Sequence, residues 1–126
     1  MRFTTMLNKN HEFRRLYNKG KSAASQCVVV YCGRNRNPGN KLGITVSTKI
    51  GGAVQRNRIR RRLKEIYRLN ESKLMTGYNI VIVARVRSRY VGYHELEASV
   101  LSLLKKLNIM MSPAGSNSEF GIRNSE

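Results

Sequence analysis

The sequence predicts an α+β fold, a two-layer α/β sandwich in which helices pack on a single sheet. Three observations predict this class. The candidate elements follow the order helix, strand, strand, helix, strand, helix, with room for one further strand before the second helix. Apolar residues recur every three or four positions in the helical segments, and the strand segments are rich in Val and Ile. The length of 126 residues fits one domain.

The first predicted helix is NHEFRRLYNKG, residues 10–20. Asn10 is a favourable amino-terminal cap, and Gly20 is a favourable stop. Phe13, Leu16 and Tyr17 fall on one helical face, at intervals of three and four positions. That face either packs on the core or offers aromatic rings to a ligand, and the pattern alone leaves both roles open.

Three segments have the composition of strands. Residues 26–32 (QCVVVYC) are β-branched and aromatic, and residues 41–47 (KLGITVS) alternate apolar with small or polar residues. Pro38-Gly39 between them is a turn signal, so these two strands are predicted to pair as an antiparallel hairpin. Residues 78–85 (YNIVIVAR) are apolar almost throughout, which is typical of a strand covered on both faces.

The second predicted helix, residues 53–69, carries most of its charge on one side. At about 100° per residue, Ile59, Leu63 and Ile66 form the side that docks on the core. The opposite side is a polar stripe of Asn57, Arg61, Lys64 and Arg68. The apolar side is flanked by Arg58, Arg60 and Arg62, whose long side chains can extend outward. Like charges at this density repel one another, so a helix that keeps them is expected to meet a polyanion. A third helix, residues 93–108, repeats Leu and Val at helical spacing.

Composition favours a nucleic-acid partner. Twenty-four Lys and Arg residues face seven acidic residues, which gives a formal charge of +17. Nucleic acid is the first expectation for such a chain, and an anionic membrane is the second. Membrane binding is disfavoured because the apolar side of the arginine-rich helix is committed to the core and lacks Trp and Phe. No apolar run approaches the roughly 20 residues that span a bilayer, so a cytoplasmic protein is expected.

The residues that hydrolytic chemistry needs are scarce. The sequence contains no Asp and its glutamates are scattered, so a site with two catalytic metal ions is not expected. His11 and His94 each open a helix, and no Gly-rich phosphate loop ends in GK[ST]. Cys27 and Cys32 are expected to be free, partly buried thiols. Composition therefore predicts a nucleic-acid-binding module with no catalytic residue and no bound cofactor of its own, and it leaves open where metal ions bind the protein.

Residues 1–111 are predicted to form the single domain. Residues 112–126 (SPAGSNSEFGIRNSE) are small, polar and aperiodic, which predicts a disordered tail or a remnant of cloning.

The most specific motif lies at residues 46–61. VSTKIGGAVQRNRIRR resembles the signature of the protein subunit of bacterial ribonuclease P, in which a strand ending in V-S-x-K precedes I-G-x-A-V-x-R-N-R-I-[KR]-R. An early F-x-x-[VL]-[FY]-x-x-G at residues 13–20 and an I-V-[IV]-A-R strand ending at Arg85 agree with the family in order and spacing. The resemblance covers about residues 6–107.

The resemblance implies a role for each surface. The family's enzyme is a ribonucleoprotein that removes the 5′ leader from precursor tRNA, with catalysis and magnesium expected on its RNA. The fold would be similar to a domain type of ribosomal proteins and elongation factor G, with a left-handed β–α–β crossover. Residues implied in binding the catalytic RNA are Lys49, Arg56, Asn57, Arg58, Arg60, Arg61, Arg62, Lys64 and Arg68. Residues implied in binding the leader of precursor tRNA are Phe13, Arg14, Tyr17, Tyr31 and Arg85.

Two other functions are compatible with the charge. A ribosomal protein that binds rRNA would explain the basic composition but not the signature. A DNA-binding regulator would read the major groove with the arginine-rich helix, but a helix-turn-helix needs a short turn to a preceding helix. Here a strand and a Gly-rich loop precede that helix, so DNA is not the expected partner.

Overall fold

The computed structural model describes residues 1–111, which form a five-stranded sheet with three α-helices. The strands are β1 (Thr4–Met6), β2 (Lys21–Ala24), β3 (Val28–Arg34), β4 (Asn40–Thr45) and β5 (Tyr78–Ala84). The helices are α1 (Asn10–Lys19), α2 (Ala53–Asn70) and α3 (Tyr93–Lys106). The predicted mixed α/β class is confirmed, and each predicted helix and strand is present. The short strands β1 and β2 were not predicted.

β5 lies at the centre of the sheet, whose strand order is β1-β4-β5-β3-β2. It pairs in parallel with β4, where Ile82 lies opposite Ile44, and antiparallel with β3, where Ile82 lies opposite Val30. The predicted hairpin between β3 and β4 is wrong because β5 is inserted between them. A strand that is apolar on both faces favours the central position, where layers cover it on either side. β3 forms its hairpin with β2 instead, with Ala23 opposite Val30.

The main core lies between one face of the sheet and the helices α2 and α3. Side chains of β3 alternate, so that Val28, Val30 and Cys32 all face this core. α1 covers part of the opposite face, where Leu16 and Val81 are buried together. α1 therefore adds a partial third layer to the predicted sandwich. α2 connects the parallel neighbours β4 and β5 in a β–α–β unit, whose left-handed crossover stays a prediction.

A buried polar network holds β1 against α2 and β4. The Tyr67 hydroxyl lies 2.9 Å from the Thr4 hydroxyl and accepts a hydrogen bond from Asn40 Nδ2 at 3.2 Å. Asn40 Oδ1 accepts from the Tyr78 amide at 2.9 Å. Since each of these buried groups has a partner, the network fixes the edge of the sheet without an unpaired polar atom at these positions.

The carboxylate of Glu71 fixes the segment that leads into β1. It is buried and accepts hydrogen bonds from the backbone amides of Arg2 and Phe3, at 2.6 and 3.2 Å. Burial raises the pKa of Glu71, but hydrogen bonds from the Thr4 side chain and these amides outweigh burial, so the pKa lies below its ordinary value of 4.5. The ionised form of Glu71 therefore stabilises the folded chain.

The structure corrects the predicted cap of α1 and shows the environment of the two cysteines. α1 begins at Asn10, and the preceding Lys9 occupies the cap position without a side-chain hydrogen bond, so Asn10 is not the cap. Cys27 lies just before β3 rather than within it, and both Cys27 and Cys32 are buried in the main core as free thiols. The predicted tail, residues 112–126, lies outside the described residues.

Candidate nucleic-acid interface

α2 docks by its apolar side and presents its cationic side to solvent. Ile59, Leu63 and Ile66 are buried in the main core, as their helical spacing predicted. We call the exposed polar residues opposite them the arginine face, which consists of Asn57, Arg58, Arg61, Lys64 and Arg68. Half-buried cations at its margins are Arg56, Arg60 and Arg62. Long cationic side chains at such margins cover apolar surface and keep their charged ends in water.

Arg68 differs from the rest of the arginine face because it already has an acidic partner. Its Nε and Nη2 donate to the two carboxylate oxygens of Glu65, at 2.8 and 2.6 Å. This hydrogen bonding, together with the opposite charges, lowers the pKa of Glu65 and raises the pKa of Arg68. Among the exposed cations of the arginine face, Arg68 is therefore the least available.

The other cations of the arginine face carry unbalanced charge. In the described part of the chain, the only ion pair besides Glu65–Arg68 joins Lys41 to Glu12 at 3.0 Å, away from α2. Arg58, Arg61 and Lys64 thus have no acidic partner among residues 1–111. An unpaired row of cations on a rigid helix creates a field that an external polyanion would neutralise.

Two of the marginal cations make hydrogen bonds that orient them. Arg60 Nη1 donates to Asn57 Oδ1 at 2.9 Å, one helical turn earlier. Arg62 Nη1 donates to the backbone oxygen of Val91 at 3.3 Å, which ties α2 to the segment before α3. Arg56 Nε is buried and has no hydrogen-bond partner among the described residues. Arg60 and Arg62 therefore also stabilise the fold, a role that the charge pattern alone did not reveal.

The loop before α2 and a neighbouring turn extend the positive surface. Lys49 is exposed in that loop. The 3-10 turn Val86–Tyr90 is tied to the loop because Arg89 Nη1 donates to the backbone oxygen of Ile50 at 3.0 Å. Tyr90 is 66% exposed, and the Arg89 guanidinium lies 5.5 Å from the centre of its ring. Sequence reasoning did not select Arg87, Arg89 or Tyr90, although VRSRY combines cations and an aromatic residue without an acid.

Three aromatic residues predicted to bind a leader meet between α1 and the sheet. We call Phe13, Tyr17 and Tyr31 the aromatic cleft. The rings of Tyr17 and Tyr31 are in edge-to-face contact with centroids 4.9 Å apart, and the Phe13 ring lies 6.4 Å from that of Tyr17. Tyr17 is 39% exposed, whereas Phe13 and Tyr31 are half-buried. Tyr17 is therefore the ring that a ligand reaches most readily.

Phe13 has a packing role as well. A Cβ atom placed on Gly43 would lie 2.7 Å from Cε1 and 2.8 Å from Cζ of the Phe13 ring, too close for two carbon atoms. The ring therefore rests directly on the backbone of β4, which is possible because Gly43 has no side chain. Leu16, on the same side of α1, is buried in the core with Val81. Phe13 and Leu16 thus have packing roles, and a ligand-binding role for the exposed Tyr17 stays a prediction.

The two arginines predicted near the leader lie outside the aromatic cleft. Arg14 is exposed on α1. Arg85 is exposed just beyond β5, where its Nη1 donates to the backbone oxygen of Ser25 at 2.9 Å. The cross-strand pair of Val29 and Val83 occupies the sheet face between Tyr31 and Arg85. The structure therefore brings the three rings together and places Arg85 at one end of the same face.

Two observations on the described residues concern metal binding and thiol reactivity. Within residues 1–111, no group of three or more His, Cys, Asp and Glu side chains is placed to hold a metal ion. Burial raises the pKa of Cys32, with only a partial opposing effect from the charge of Lys21, so this thiol is a poor nucleophile.

Of the three helices described, none is long and apolar enough to cross a membrane.

Comparisons with known proteins agree with the geometry. Residues 1–108 match the family model described as Ribonuclease P. The chain is 39% identical over 110 residues to the ribonuclease P protein component of Alkaliphilus metalliredigens (strain QYMF), which covers 87% of this chain and 99% of the relative. It is 44% identical over 104 residues to that of Clostridium botulinum (strain Loch Maree / Type A3), with 82% and 94% covered.

Two solved structures are similar throughout the fold. The RNase P protein of Staphylococcus aureus superposes with a TM-score of 0.78 at 32% identity, over 83% of this chain and 96% of that one. The RNase P protein from Thermotoga maritima gives a TM-score of 0.74 at 30% identity, over 80% and 96% of the two chains.

Proposed function

Because this chain belongs to the ribonuclease P protein family, we propose that its arginine face binds the catalytic RNA of that enzyme and that its aromatic cleft holds the leader of precursor tRNA. The chain is a protein component of ribonuclease P, the ribonucleoprotein that processes the 5′ ends of tRNA. An RNA partner follows from that membership. The assignment of surfaces to the two RNAs is our proposal.

The unbalanced charge of α2 is the observation that carries the first assignment. Arg58, Arg61 and Lys64 point to solvent from one rigid helix without an acidic partner among the described residues. Arginine is suited to this role because its planar guanidinium can donate two parallel hydrogen bonds to a phosphate. Lys49, in the loop before α2, and the marginal cations Arg56, Arg60 and Arg62 complete the proposed surface. Arg68 contributes least, since Glu65 accepts from two of its five N–H donors and balances its charge.

The accessible ring of Tyr17 carries the second assignment. A single-stranded leader has unstacked bases, and stacking on aromatic side chains holds such bases regardless of their sequence. Tyr17 offers the exposed ring, Tyr31 braces it from the sheet and Phe13 forms the base of the cleft. Arg85 and Arg14 would then contact the phosphates on either side of the stacked base.

Catalysis is proposed to reside on the RNA component, with magnesium bound there. The protein is proposed to supply no catalytic residue and to hold no cofactor. It would act by neutralising the folded RNA and by positioning the leader, in the cytoplasm where tRNA is processed. The alternative of a ribosomal rRNA-binding protein receives no support from the comparisons.

A reconstitution tests this proposal. Purified chain is added to the RNA component of ribonuclease P at low magnesium, and cleavage of precursor tRNA is measured. We expect the chain to increase the cleavage rate strongly in the presence of the RNA and to cleave nothing without it. Stimulation that persists after charge reversal in Arg58→Glu and Arg61→Glu, but is lost in Lys105→Glu on α3, would contradict the assigned face.

A further inference from the structure

A groove beside the arginine face has an apolar floor that packing of the core explains only in part. It lies between α2 and the edge of the sheet, and its volume is about 510 Å³. The floor consists of Met6 on β1, Ile44 on β4 and Val54 in the first turn of α2. One wall consists of Arg60, Arg61 and Lys64. Asn57 completes the lining, and we call these seven residues the α2–β1 groove.

Two of the three floor residues are exposed, whereas Ile44 is half-buried and packs against the main core. Val54 is 74% exposed and Met6 is 44% exposed, and neither is part of a buried cluster of the core. Val54 also belongs to the signature KIGGAVQRNRIRR, yet it makes no contribution to the packing of α2 that would require an aliphatic residue. A concave site with an apolar floor and a few charged groups in its wall is typical of a ligand-binding pocket.

The wall specifies the chemistry of the occupant. Arg61 and Lys64 have no acidic partner among the described residues, and Arg60 is held along the wall by its hydrogen bond to Asn57 at 2.9 Å. A ligand that fits must present a flat apolar part to the floor and negative charge to the wall. A nucleotide has both parts. The bases of a continuous duplex are stacked within the helix and cannot enter, so the base must be unpaired.

We propose that the α2–β1 groove receives one unpaired base of the catalytic RNA, while Arg61 and Lys64 contact the phosphates that flank it. This inference rests on the proposed function of the arginine face and adds a specific nucleotide to it. Affinity then has two separable parts. The phosphate contacts are weakened by salt, and the burial of the base against the floor is not.

Substitutions at two exposed residues of α2 separate these parts, because neither change disturbs the core. Val54→Ser removes apolar contact with the base, and we expect it to weaken binding of the RNA roughly fivefold to tenfold, the scale of burying part of one aliphatic side chain. The slope of log affinity against log salt concentration is expected to stay unchanged. Leu69→Ser makes the same kind of change at an exposed residue of α2 outside the groove, and it serves as the control with wild-type affinity. Wild-type affinity for Val54→Ser would overturn the inference.

A crosslink identifies the base. An aliphatic amino acid that carries a diazirine replaces Val54, and the complex with the RNA is irradiated. We expect crosslinks to concentrate on one unpaired nucleotide, and replacing that nucleotide by an abasic one should remove the effect of Val54→Ser. Crosslinks spread over paired nucleotides, or additive effects of the two changes, would refute a base in the groove.

The same experiments distinguish failure of the inference from failure of the proposed function. Arg61→Gln is expected to lower affinity and to reduce the salt dependence, whether or not a base enters the groove. If Arg61→Gln has this effect and Val54→Ser has none, the arginine face stands and the base is refuted. If neither change affects binding, the proposed function fails and the inference fails with it.

Discussion

Removing the ring of Tyr17 should weaken binding of precursor tRNA through its leader alone. Stacking of one base on an aromatic side chain is worth about 1–3 kcal/mol. Tyr17 is 39% exposed, and the edge of Tyr31 already contacts it with ring centroids 4.9 Å apart. Only part of the ring is therefore free to stack, so the lower limit applies. We expect Tyr17→Ala to cost about 1 kcal/mol, which corresponds to roughly a fivefold loss of affinity.

The assay compares two ligands of the reconstituted enzyme. Dissociation constants are measured for precursor tRNA with its leader and for mature tRNA, with wild-type and variant protein. Tyr17→Ala should weaken the first and leave the second unchanged. Tyr17→Phe keeps the ring and loses only the contact between its hydroxyl and the Thr45 hydroxyl, 3.5 Å apart and too long to contribute much, so it should behave as wild type.

Stability must be measured beside affinity. Losing the contact with Tyr31 should cost the fold about 0.5–1.5 kcal/mol, which urea denaturation detects. Phe13→Ala is a poorer test because it also removes a ring packed on the backbone of Gly43. An equal loss of affinity for precursor and mature tRNA, or wild-type affinity of a folded Tyr17→Ala protein for the precursor, would refute the role of the aromatic cleft.

Three further predictions follow from other contacts. Glu65→Gln should free the guanidinium of Arg68 for one added phosphate contact, and binding of the catalytic RNA should strengthen about threefold at low salt. Glu95→Gln on α3 makes the same change of net charge and should have a smaller effect. Gly43→Ala should destabilise the fold by about 1–3 kcal/mol through collision with Phe13, and the cost should largely disappear in a Phe13→Ala background. The pKa of Glu71 is lower in the folded chain than its ordinary 4.5, so the ionised carboxylate stabilises the fold above pH 4.5 and this effect is lost as the pH falls below that value. Glu71→Gln should therefore flatten the pH dependence of the free energy of unfolding in that acid range.

Each of these has an outcome that contradicts it. Equal gains from Glu65→Gln and Glu95→Gln would mean that only net charge matters. Additive costs of Gly43→Ala and Phe13→Ala in urea denaturation would mean that the two residues do not collide. An unchanged acid transition in Glu71→Gln, followed by circular dichroism, would mean that this carboxylate does not control the stability of the segment before β1.

The sides of α2 could be predicted because helical periodicity is local. Ile59, Leu63 and Ile66 are separated by four and three positions, so their common side follows from the geometry of one helix. The pairing of Glu65 with Arg68, three positions apart, was equally accessible but was outweighed by the charge count. The resemblance to the ribonuclease P family rested on a contiguous motif, and the comparisons confirm that family.

The arrangement of the sheet could not be predicted because strand order is non-local. Nothing in residues 26–47 indicates that a strand more than thirty residues later separates β3 from β4. β1 has only three residues and no apolar pattern, and its position depends on hydrogen bonds to Tyr67 and Asn40. The contact of the Phe13 ring with the backbone of Gly43 and the α2–β1 groove both depend on this strand order. The sequence therefore indicated residues of both features but not the contacts between them.

The salt dependence of RNA binding tests the central claim most directly. Affinity of the chain for the catalytic RNA is measured between 50 and 200 mM salt for wild type, for Arg61→Gln with Lys64→Gln, and for Lys105→Gln with Lys106→Gln on α3. Each phosphate contact adds about 0.7–0.9 to the slope of log affinity against log salt. We expect the first pair to reduce the slope by about 1.4–1.8 and the second pair, with the same net charge, to leave it nearly unchanged. Equal slopes for the two pairs would contradict the claim that the cations of α2 are neutralised by RNA.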